Sequence, residues 1–274
     1  MPELPEVETV RRSLEPLVQG HSISEAEVYY GKIIKYPSVQ AFLQQLKAQK
    51  IKGIRRRGKY LIFELSHEQL LIFHLRMTGR ITAVKRETEV AKHTHLVIRL
   101  SNGLDLRFAD IRKFGTVYLL NCGEECKVNG LFTLGPEPLG EEFSLSYLKE
   151  QIKGKKTAIK SFLLNQTKIA GIGNIYADEI LFAARLNPGR KLDTLNDNEI
   201  EALHLAVRKK LLEGIKYRGT SFKDYVDGLG EKGEYQKRLQ VYGRAGERCS
   251  RCGAALEKKV VAGRGTVYCP HCQS

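Results

Sequence analysis

The sequence lacks the features that mark membrane and secreted proteins. No apolar run approaches the ~18 consecutive residues of a transmembrane helix. The first residues carry acids and lack the basic-then-apolar pattern of a secretion signal. We therefore expect a cytosolic protein.

Acidic residues are in deficit. The 274 residues include 45 Lys and Arg but only 31 Asp and Glu, so the net charge is +14. This excess favours a polyanionic partner, chiefly nucleic acid, although a generally solvated basic surface is the alternative. The cations are spread in runs rather than gathered in one tail: RRRGK at 55–59, KGKK at 153–156 and RKK at 208–210.

Apolar residues make up 42% of the chain, which is enough for a folded core and about two domains. No internal repeat is present. Apolar spacing predicts helices over 1–18, 40–48, 144–153, 157–166, 174–185 and 196–216. Strand-like runs fill 59–120 (KYLIFEL, LLIFHL, HLVIRL, LDLRF, TVYLL). The predicted order is a β-rich region typical of a sandwich or barrel, then a helical region, then a short cysteine-bearing tail.

The chain begins MPELPEVETV, a pattern that suits a helix start. Pro5 fits a first helical position, and acids in the first turn oppose the positive end of the helix dipole. This interpretation accounts for Pro5 and Glu6. It gives no reason for Pro2.

Four cysteines follow the pattern C-x2-C-x16-C-x2-C: Cys249, Cys252, Cys269 and Cys272. This spacing predicts a four-thiolate site for one structural zinc ion, which would stabilise a tail too small to fold alone. A redox pair or plain buried thiols do not explain two matched pairs. The remaining Cys122 and Cys126 have no partners nearby in sequence and are interpreted as ordinary thiols.

Two glycine-containing stretches suit phosphate binding. IAGIGNIYADE at 169–179 lacks the third glycine of a dinucleotide loop and is better interpreted as a helix–turn–helix. Asn174 would start the second helix, where N–H groups can bind a phosphate, or would simply cap it. Arg264 in AGRGT would lie at a loop tip and bind a phosphate, unless it is an ordinary surface arginine.

Read together, these stretches resemble the bacterial formamidopyrimidine-DNA glycosylase family, also called 8-oxoguanine DNA glycosylases. The resemblance covers nearly the whole chain and rests on PELPEVE, RRGKYL, HLRMTGR, DIRKFG, LGPEPL, AGIGNIYADE, LQVYGR and the cysteine finger, in that order. It implies an α+β multidomain fold: an N-terminal β-sandwich flanked by helices, a helix–two-turns–helix domain and a C-terminal zinc-finger β-hairpin. The expected boundaries are 1–132, a linker at 133–143, 144–236 and 237–274.

The resemblance also implies a bifunctional enzyme of base excision repair, a DNA glycosylase with AP lyase activity. Pro2, exposed as the terminal amine once Met1 is removed, would be the nucleophile. Glu3 would be the general acid/base, and Glu6 would orient the terminus. Lys59 would donate a proton during β-elimination, and Arg264 would bind phosphate and assist δ-elimination.

Further positions match residues that the family uses at or near the DNA backbone: His74, His93, Arg112, Lys155, Asn174, Tyr242 and Lys258. His74 and Tyr242 could equally be half-buried structural residues. Met77, Arg112 and Phe114 match a trio that fills the gap left by a flipped nucleotide. Met and Phe in strands are more often core residues.

Two positions depart from commoner versions of the family pattern. Arg218 stands where the loop over the flipped base often begins Gly-Gly, and Thr78 follows Met77 where some members carry Glu. Both bear on base preference. The expected partner is damaged double-stranded DNA, with no membrane, for a monomer in the bacterial cytoplasm with the nucleoid.

Two rival functions remain at this point. One is an enzyme resembling endonuclease VIII, which prefers oxidised pyrimidines; PELPEVE and the loop from Arg112 to Phe114 argue against it. The other is a non-catalytic zinc-finger DNA-binding protein, against which the intact Pro2, Glu3 and Lys59 argue.

Overall fold

The computed structural model describes all residues, Met1–Ser274. By packing, the chain divides into two compact units. The first comprises Met1–Phe132 and Tyr217–Gln236, and the second comprises Thr133–Lys216 and Lys237–Ser274. The division of the sequence into three domains and a linker stays a prediction.

The amino-terminal helix α1 spans Leu4–Val18. Glu3 caps it, with reciprocal hydrogen bonds between Glu3 and Glu6 in a capping box. Its buried face has apolar residues three or four positions apart: Val7, Val10, Leu14 and Val18. Helical periodicity in the sequence therefore corresponds to a face packed on the core.

Nine strands form the two sheets of the first unit. They are β1 (Ile23–Val28), β2 (Ile34–Tyr36), β3 (Ile51–Arg57), β4 (Tyr60–Leu65), β5 (Gln69–His74), β6 (Gly79–Lys85), β7 (Thr94–Leu100), β8 (Leu104–Asp110) and β9 (Thr116–Asn121), with helix α2 at Val39–Leu46. One sheet has the order β1-β7-β8-β6 and the other β2-β9-β5-β4-β3. Buried side chains of both sheets share one core, where Phe73 and Phe108 pack with ring centroids 5.6 Å apart. This is the expected β-sandwich.

The five strand-like runs of the sequence correspond to β4, β5, β7, β8 and β9, which are the central strands. The sequence missed β1, β2, β3 and β6, which are all edge strands. Edge strands carry charge and are less completely buried, as in IKGIRRR of β3, so their pattern lacks a continuous apolar run.

In the second unit, helices follow closely the predicted segments: α3 (Leu145–Ile152), α4 (Ile159–Leu164), α5 (Asn174–Ala183) and α6 (Asp197–Lys216). A hairpin of β10 (Glu257–Val261) and β11 (Arg264–Tyr268) ends the chain. No helix of the structure combines the length and apolar character needed to cross a bilayer.

The segment Tyr217–Gln236 packs with the β-sandwich rather than with the helices that precede it. The backbone N–H of Ala83 in β6 donates to the carbonyl of Gly228 (2.8 Å), and the N–H of Tyr235 donates to the carbonyl of Gly219 (3.0 Å). The first of these bonds attaches the segment to the edge strand β6, which is distant in sequence, and the second joins the two ends of the segment itself. Local periodicity carries no signal of such an attachment.

Candidate active site and nucleic-acid interface

The amino-terminal residues are held firmly at the start of α1. Pro2 is buried and Glu3 is 2% exposed, whereas Met1 is exposed. The backbone N–H of Glu3 donates to Glu6 Oε2 (2.8 Å), and the carbonyl of Glu3 accepts from the N–H of Val7 (3.1 Å). The residue next to Pro2 is thus fixed by both its backbone groups.

Glu6 joins the terminus to the segment 217–236. Its Oε1 accepts from the backbone N–H of Thr220 (2.7 Å), and its carbonyl accepts from the hydroxyl of Tyr225 (3.2 Å). Gly219 lies beside it with a φ of +75°, and a Cβ there would be 2.8 Å from Glu6 Cγ. Both the left-handed backbone and the close approach require glycine. Nothing in the local sequence pattern indicates that Gly219, Thr220 and Tyr225 meet Glu6.

Lys59 and His74 lie at adjacent strand ends. Lys59 immediately precedes β4 and is 6% exposed, and His74 ends β5 with the same exposure. Opposite His74 in the register is Tyr60, whose ring meets the imidazole edge-on at 4.6 Å. Burial, Arg76 and Lys59 lower the pKa of His74 to about 3. The imidazole is therefore neutral, and because Nδ1 accepts from the N–H of Arg76 (3.0 Å), its proton is on Nε2.

Met77, Arg112 and Phe114 form a cluster on the surface. Met77 is 44% exposed and Phe114 is 52% exposed. Arg112 links them, since its Nη1 lies 2.9 Å from Met77 Sδ and its guanidinium lies over the Phe114 ring, 4.7 Å from the centroid. The alternative that Met77 and Phe114 are core residues is wrong. Their insertion into DNA stays a prediction.

A buried carboxylate that the sequence did not single out supports this cluster. Asp110, at the end of β8, has no exposed surface and accepts from the N–H groups of Arg112 (3.2 Å) and Gly115 (2.7 Å). The hydroxyl of Thr78 also donates to Asp110 and accepts from the N–H of Arg112. Thr78 thus fixes the loop that carries Arg112. His93, partly exposed with a φ of +68°, accepts the N–H of Asp110 through its carbonyl.

In the second unit, three of the predicted DNA contacts line one cavity of about 300 Å³. They are Asn174, Tyr242 and Lys258. Asn174 begins α5, but Gly173 is the N-cap, and the Asn174 amide donates to the carbonyl of Gly265 (3.0 Å). The simple capping role for Asn174 is therefore not what the structure has. Its amide instead connects α5 to the finger hairpin.

A second buried carboxylate positions the backbone of residues 240–242. Glu179 of α5 has no exposed surface, and its oxygens accept from the successive N–H groups of Gln240, Val241 and Tyr242 at 2.9–3.1 Å. One side chain thus accepts hydrogen bonds from three successive backbone N–H groups. The sequence showed both motifs, NIYADE and LQVYGR, but not that they meet.

A buried ion pair connects α4, α5 and the hairpin. The Lys160 ammonium lies 2.6 Å from Asp178 Oδ1 and also donates to Thr266 Oγ1 (2.7 Å), and neither charged side chain is exposed. Asp178 Oδ2 accepts from the N–H of Val267 (3.1 Å). Burial raises the pKa of Asp178 to about 6, against the opposing effect of Lys160. These contacts fix β11 directly after Arg264.

The remaining predicted cations are on the surface. Arg264, Lys258 and Lys155 are all exposed, and Arg264 follows a hairpin turn in which Ala262 and Gly263 have φ of +53° and +67°. Such a two-residue turn with positive φ suits the twist of a hairpin. Exposed cations are free to meet a polyanion without first losing a buried partner.

The four predicted cysteine ligands converge. Their sulfur atoms lie within 4.8 Å of one another, with Cys249–Cys272 at 3.9 Å and Cys252–Cys269 at 3.5 Å. Tetrahedral zinc with Zn–S bonds of ~2.3 Å places sulfurs roughly 3.8 Å apart, so the donor set fits one structural zinc ion. Cys122 and Cys126 are exposed and lie outside this cluster.

Three family models match the chain in sequence. They are described as the formamidopyrimidine-DNA glycosylase N-terminal domain (residues 1–117), its H2TH domain (134–226) and a zinc finger found in FPG and IleRS (246–274). The chain is 47% identical to formamidopyrimidine-DNA glycosylase of Pelotomaculum thermopropionicum over 273 residues, covering 100% of this chain and 99% of the relative. The identity to the enzyme of Pediococcus pentosaceus is 45% with the same coverage.

Solved structures agree with this assignment. The fold matches Lactococcus lactis Fpg in complex with abasic-site DNA with a TM-score of 0.93, 41% identity and 99% coverage of each chain. It matches the wild-type Lactococcus lactis protein bound to DNA containing N7-benzyl-Fapy-dG with the same TM-score and identity, over 100% of each chain. Because the similarity is this high and spans the full length, the chain belongs to the formamidopyrimidine-DNA glycosylase family.

Proposed function

We propose that the protein is a bifunctional DNA glycosylase and AP lyase that removes oxidised purines, 8-oxoguanine and formamidopyrimidines, with Pro2 as nucleophile. The observation that carries this proposal is the buried terminus, in which Pro2 precedes a Glu3 held at its backbone by Glu6. Glu6 is in turn held by Thr220. The contacts that cap α1 thereby also fix the residue next to Pro2.

Proline at the terminus suits the chemistry. An α-amino group has a pKa near 7.7–8.0, so roughly 10–15% is neutral at pH 7, against about 0.04% of a lysine amine. Attack of the secondary amine on deoxyribose C1′ gives an iminium that is charged without a proton. The iminium withdraws electrons and promotes elimination of the strand phosphates. In the full-length chain the Pro2 nitrogen is in the peptide bond to Met1, so Met1 must be removed first.

The other groups would move protons. Glu3 would protonate the sugar ring oxygen and help to expel the base, and Glu6 would orient the terminus. Lys59 would donate a proton in β-elimination and bind a phosphate beside the lesion. Arg264 would bind a phosphate and assist δ-elimination.

The remaining residues would hold DNA with its damaged nucleotide flipped out. His74 would contact the DNA backbone as a neutral Nε2–H donor. Further contacts at or near the DNA backbone would come from His93, Arg112, Lys155, Asn174, Tyr242 and Lys258. Met77, Arg112 and Phe114 would fill the gap in the stack, since an exposed apolar cluster offsets part of the lost stacking. The loop 219–226, which begins beside Glu6, would cover the flipped base. The protein would act as a monomer in the bacterial cytoplasm, on damaged double-stranded DNA of the nucleoid.

Borohydride trapping tests the nucleophile. With a duplex containing 8-oxoguanine or an abasic site, reduction of the iminium should give a stable protein–DNA crosslink. Pro2→Gly should trap poorly, and a chain that keeps Met1 should not trap. Intact mass reports whether Met1 is present. Full trapping by a Met1-bearing chain would contradict the role of Pro2.

Substrate comparison tests the lesion class. We expect faster cleavage of an 8-oxoguanine duplex than of a matched thymine glycol duplex. The reverse order would favour an activity like that of endonuclease VIII. Binding to damaged DNA with no cleavage and no crosslink would favour a non-catalytic DNA-binding protein.

A further inference from the structure

Arg218 stands at the start of the loop 219–226 with a backbone conformation that does not suit it. Its φ is +58°, in the left-handed region that disfavours residues with a Cβ. The next residue, Gly219, is also left-handed at +75°. Glycine at 218 would carry no such strain, so the contact made by the arginine side chain is the feature that distinguishes this position.

That contact is an ion pair with Asp227, at the far end of the same loop. The Arg218 guanidinium donates to Asp227 Oδ2. Asp227 has no exposed surface, and its Oδ1 accepts from the N–H groups of Leu229 (2.9 Å) and Glu231 (3.0 Å). Arg218 is the cation that compensates this buried charge, since burying an unpaired carboxylate is costly.

Arg218 and Asp227 flank the eight-residue loop 219–226, and their ion pair joins its two ends. On one side Thr220 is bound to Glu6, and on the other the carbonyl of Gly228 is bound to Ala83. Within the loop, Ser221 Oγ donates to the carbonyl of Tyr225 (2.8 Å). The exposed residues are at the tip, where Phe222 is 55% exposed. The two ends of the loop are therefore held by hydrogen bonds, while its tip is exposed to solvent.

We propose that the Arg218–Asp227 ion pair is a latch that holds the loop 219–226 in the closed arrangement needed to enclose a flipped base. This inference rests on the proposed function, in which that loop covers the base. Arg218 and Asp227 are positioning residues, because they act through the loop. The latch preorganises the loop, so less conformational freedom is lost when the base enters. An abasic site has no base to enclose and should not need it.

Hydrogen exchange and kinetics on the mature, zinc-loaded chain test the latch. In Arg218→Gly and Asp227→Asn, amides of 222–225 should exchange about tenfold faster, as expected when a local closed state loses a charged hydrogen bond. Excision of 8-oxoguanine should fall by a similar factor of about ten in kcat/KM, while cleavage of a preformed abasic site stays within about twofold. Arg218→Lys, which keeps the cation, should recover part of the loss.

Arg185→Gly is the matched control, because Arg185 is an exposed arginine that also has a positive φ, +60°. It should change neither exchange in the loop nor excision. Unchanged exchange in both latch variants would overturn the proposal, as would equal losses on base-bearing and abasic DNA. If the wild-type chain does not excise 8-oxoguanine, the proposed function fails, while the exchange comparison still reports on the latch.

Discussion

At the amino terminus, the two carboxylate oxygens of Glu6 accept hydrogen bonds from the backbones of Glu3 and Thr220, which are far apart in sequence. One side chain thus fixes both the start of α1 and the loop that begins at Gly219. The sequence suggested that Glu6 orients the terminus, and the contact with Glu3 is consistent with that role. The contact with Thr220 adds a coupling between terminus and loop.

Glu3→Gln should separate the two halves of the reaction. Base removal needs a proton donor, whereas cleavage at a preformed abasic site needs mainly the iminium and other bases. Excision of 8-oxoguanine should fall by the ~10²–10⁴ typical of acid–base groups, while abasic cleavage survives in part. Both rates are measured on matched duplexes with the mature chain. Equal loss of the two activities would indicate that Glu3 has a structural role and does not act as the proton donor.

His74 should make the folded state sensitive to acid. Its pKa is about 3 when folded and near 6.5 when unfolded, so the unfolded state binds the proton more readily. The stabilising contribution of neutral His74 is therefore fully present above pH 6.5 and is lost progressively as pH falls toward 3. Between pH 7 and pH 5 the contribution lost is about 2 kcal/mol.

Denaturant unfolding at the two pH values measures this loss. His74→Gln should show a correspondingly smaller fall in the free energy of unfolding. The exposed His67→Gln is the control and should follow wild type. An identical pH dependence in His74→Gln and wild type would show that His74 is not held neutral by burial.

At the scale of elements, the extent of burial determined which strands and helices could be predicted from the sequence. Central strands are covered on both sides by neighbours and read as apolar runs, so β4, β5, β7, β8 and β9 were predicted. The edge strands were not. Helices of the second unit were predicted closely because their apolar residues recur at helical spacing; α3 buries one face through Leu148 and Ile152, whereas α5 is buried on nearly all sides from Ile175 to Phe182. The periodicity of an element does not indicate which other element it packs against.

The ion pair that joins α4 and α5 to β11 should be sensitive to removal of one partner. Lys160→Met leaves Asp178 buried without its cation, which costs about 3–5 kcal/mol when a buried pair is broken. The double variant Lys160→Met/Asp178→Leu removes both charges and should recover part of that loss, the remainder reflecting the N–H of Val267, which loses its acceptor. The free energy of unfolding is the measurement, with zinc content as the check that the finger stays loaded. A single variant as stable as wild type would contradict the importance of the pair.

At the scale of the whole molecule, the charge of +14 should govern affinity. Phosphate contacts release counterions, so log affinity should fall steeply with log salt and depend little on flanking bases. Lys155→Ala should weaken damaged and undamaged DNA alike and flatten that slope by about one. Phe114→Ala should leave the slope unchanged and reduce the preference for damage, because it removes an apolar side chain rather than a charge.

Both variants are measured against matched duplexes at several salt concentrations. If Phe114→Ala changes the slope while preference for the lesion is untouched, Phe114 does not act as a wedge. If Lys155→Ala leaves the slope at the wild-type value, Lys155 does not contact phosphate.

The sequence by itself determined what depends on local spacing: the zinc ligands, the central strands, the helices and the motifs that identify the family. Only the tertiary structure decided which distant groups meet. Glu6 and Thr220 are 214 residues apart, Asp178 and Val267 are 89 apart, and Glu179 and Val241 are 62 apart. In each case a buried carboxylate satisfies backbone N–H groups of another segment, because an unpaired charge or donor inside the protein is costly. Such pairings depend on how whole elements pack together. The periodicity within one element therefore contains no information about them.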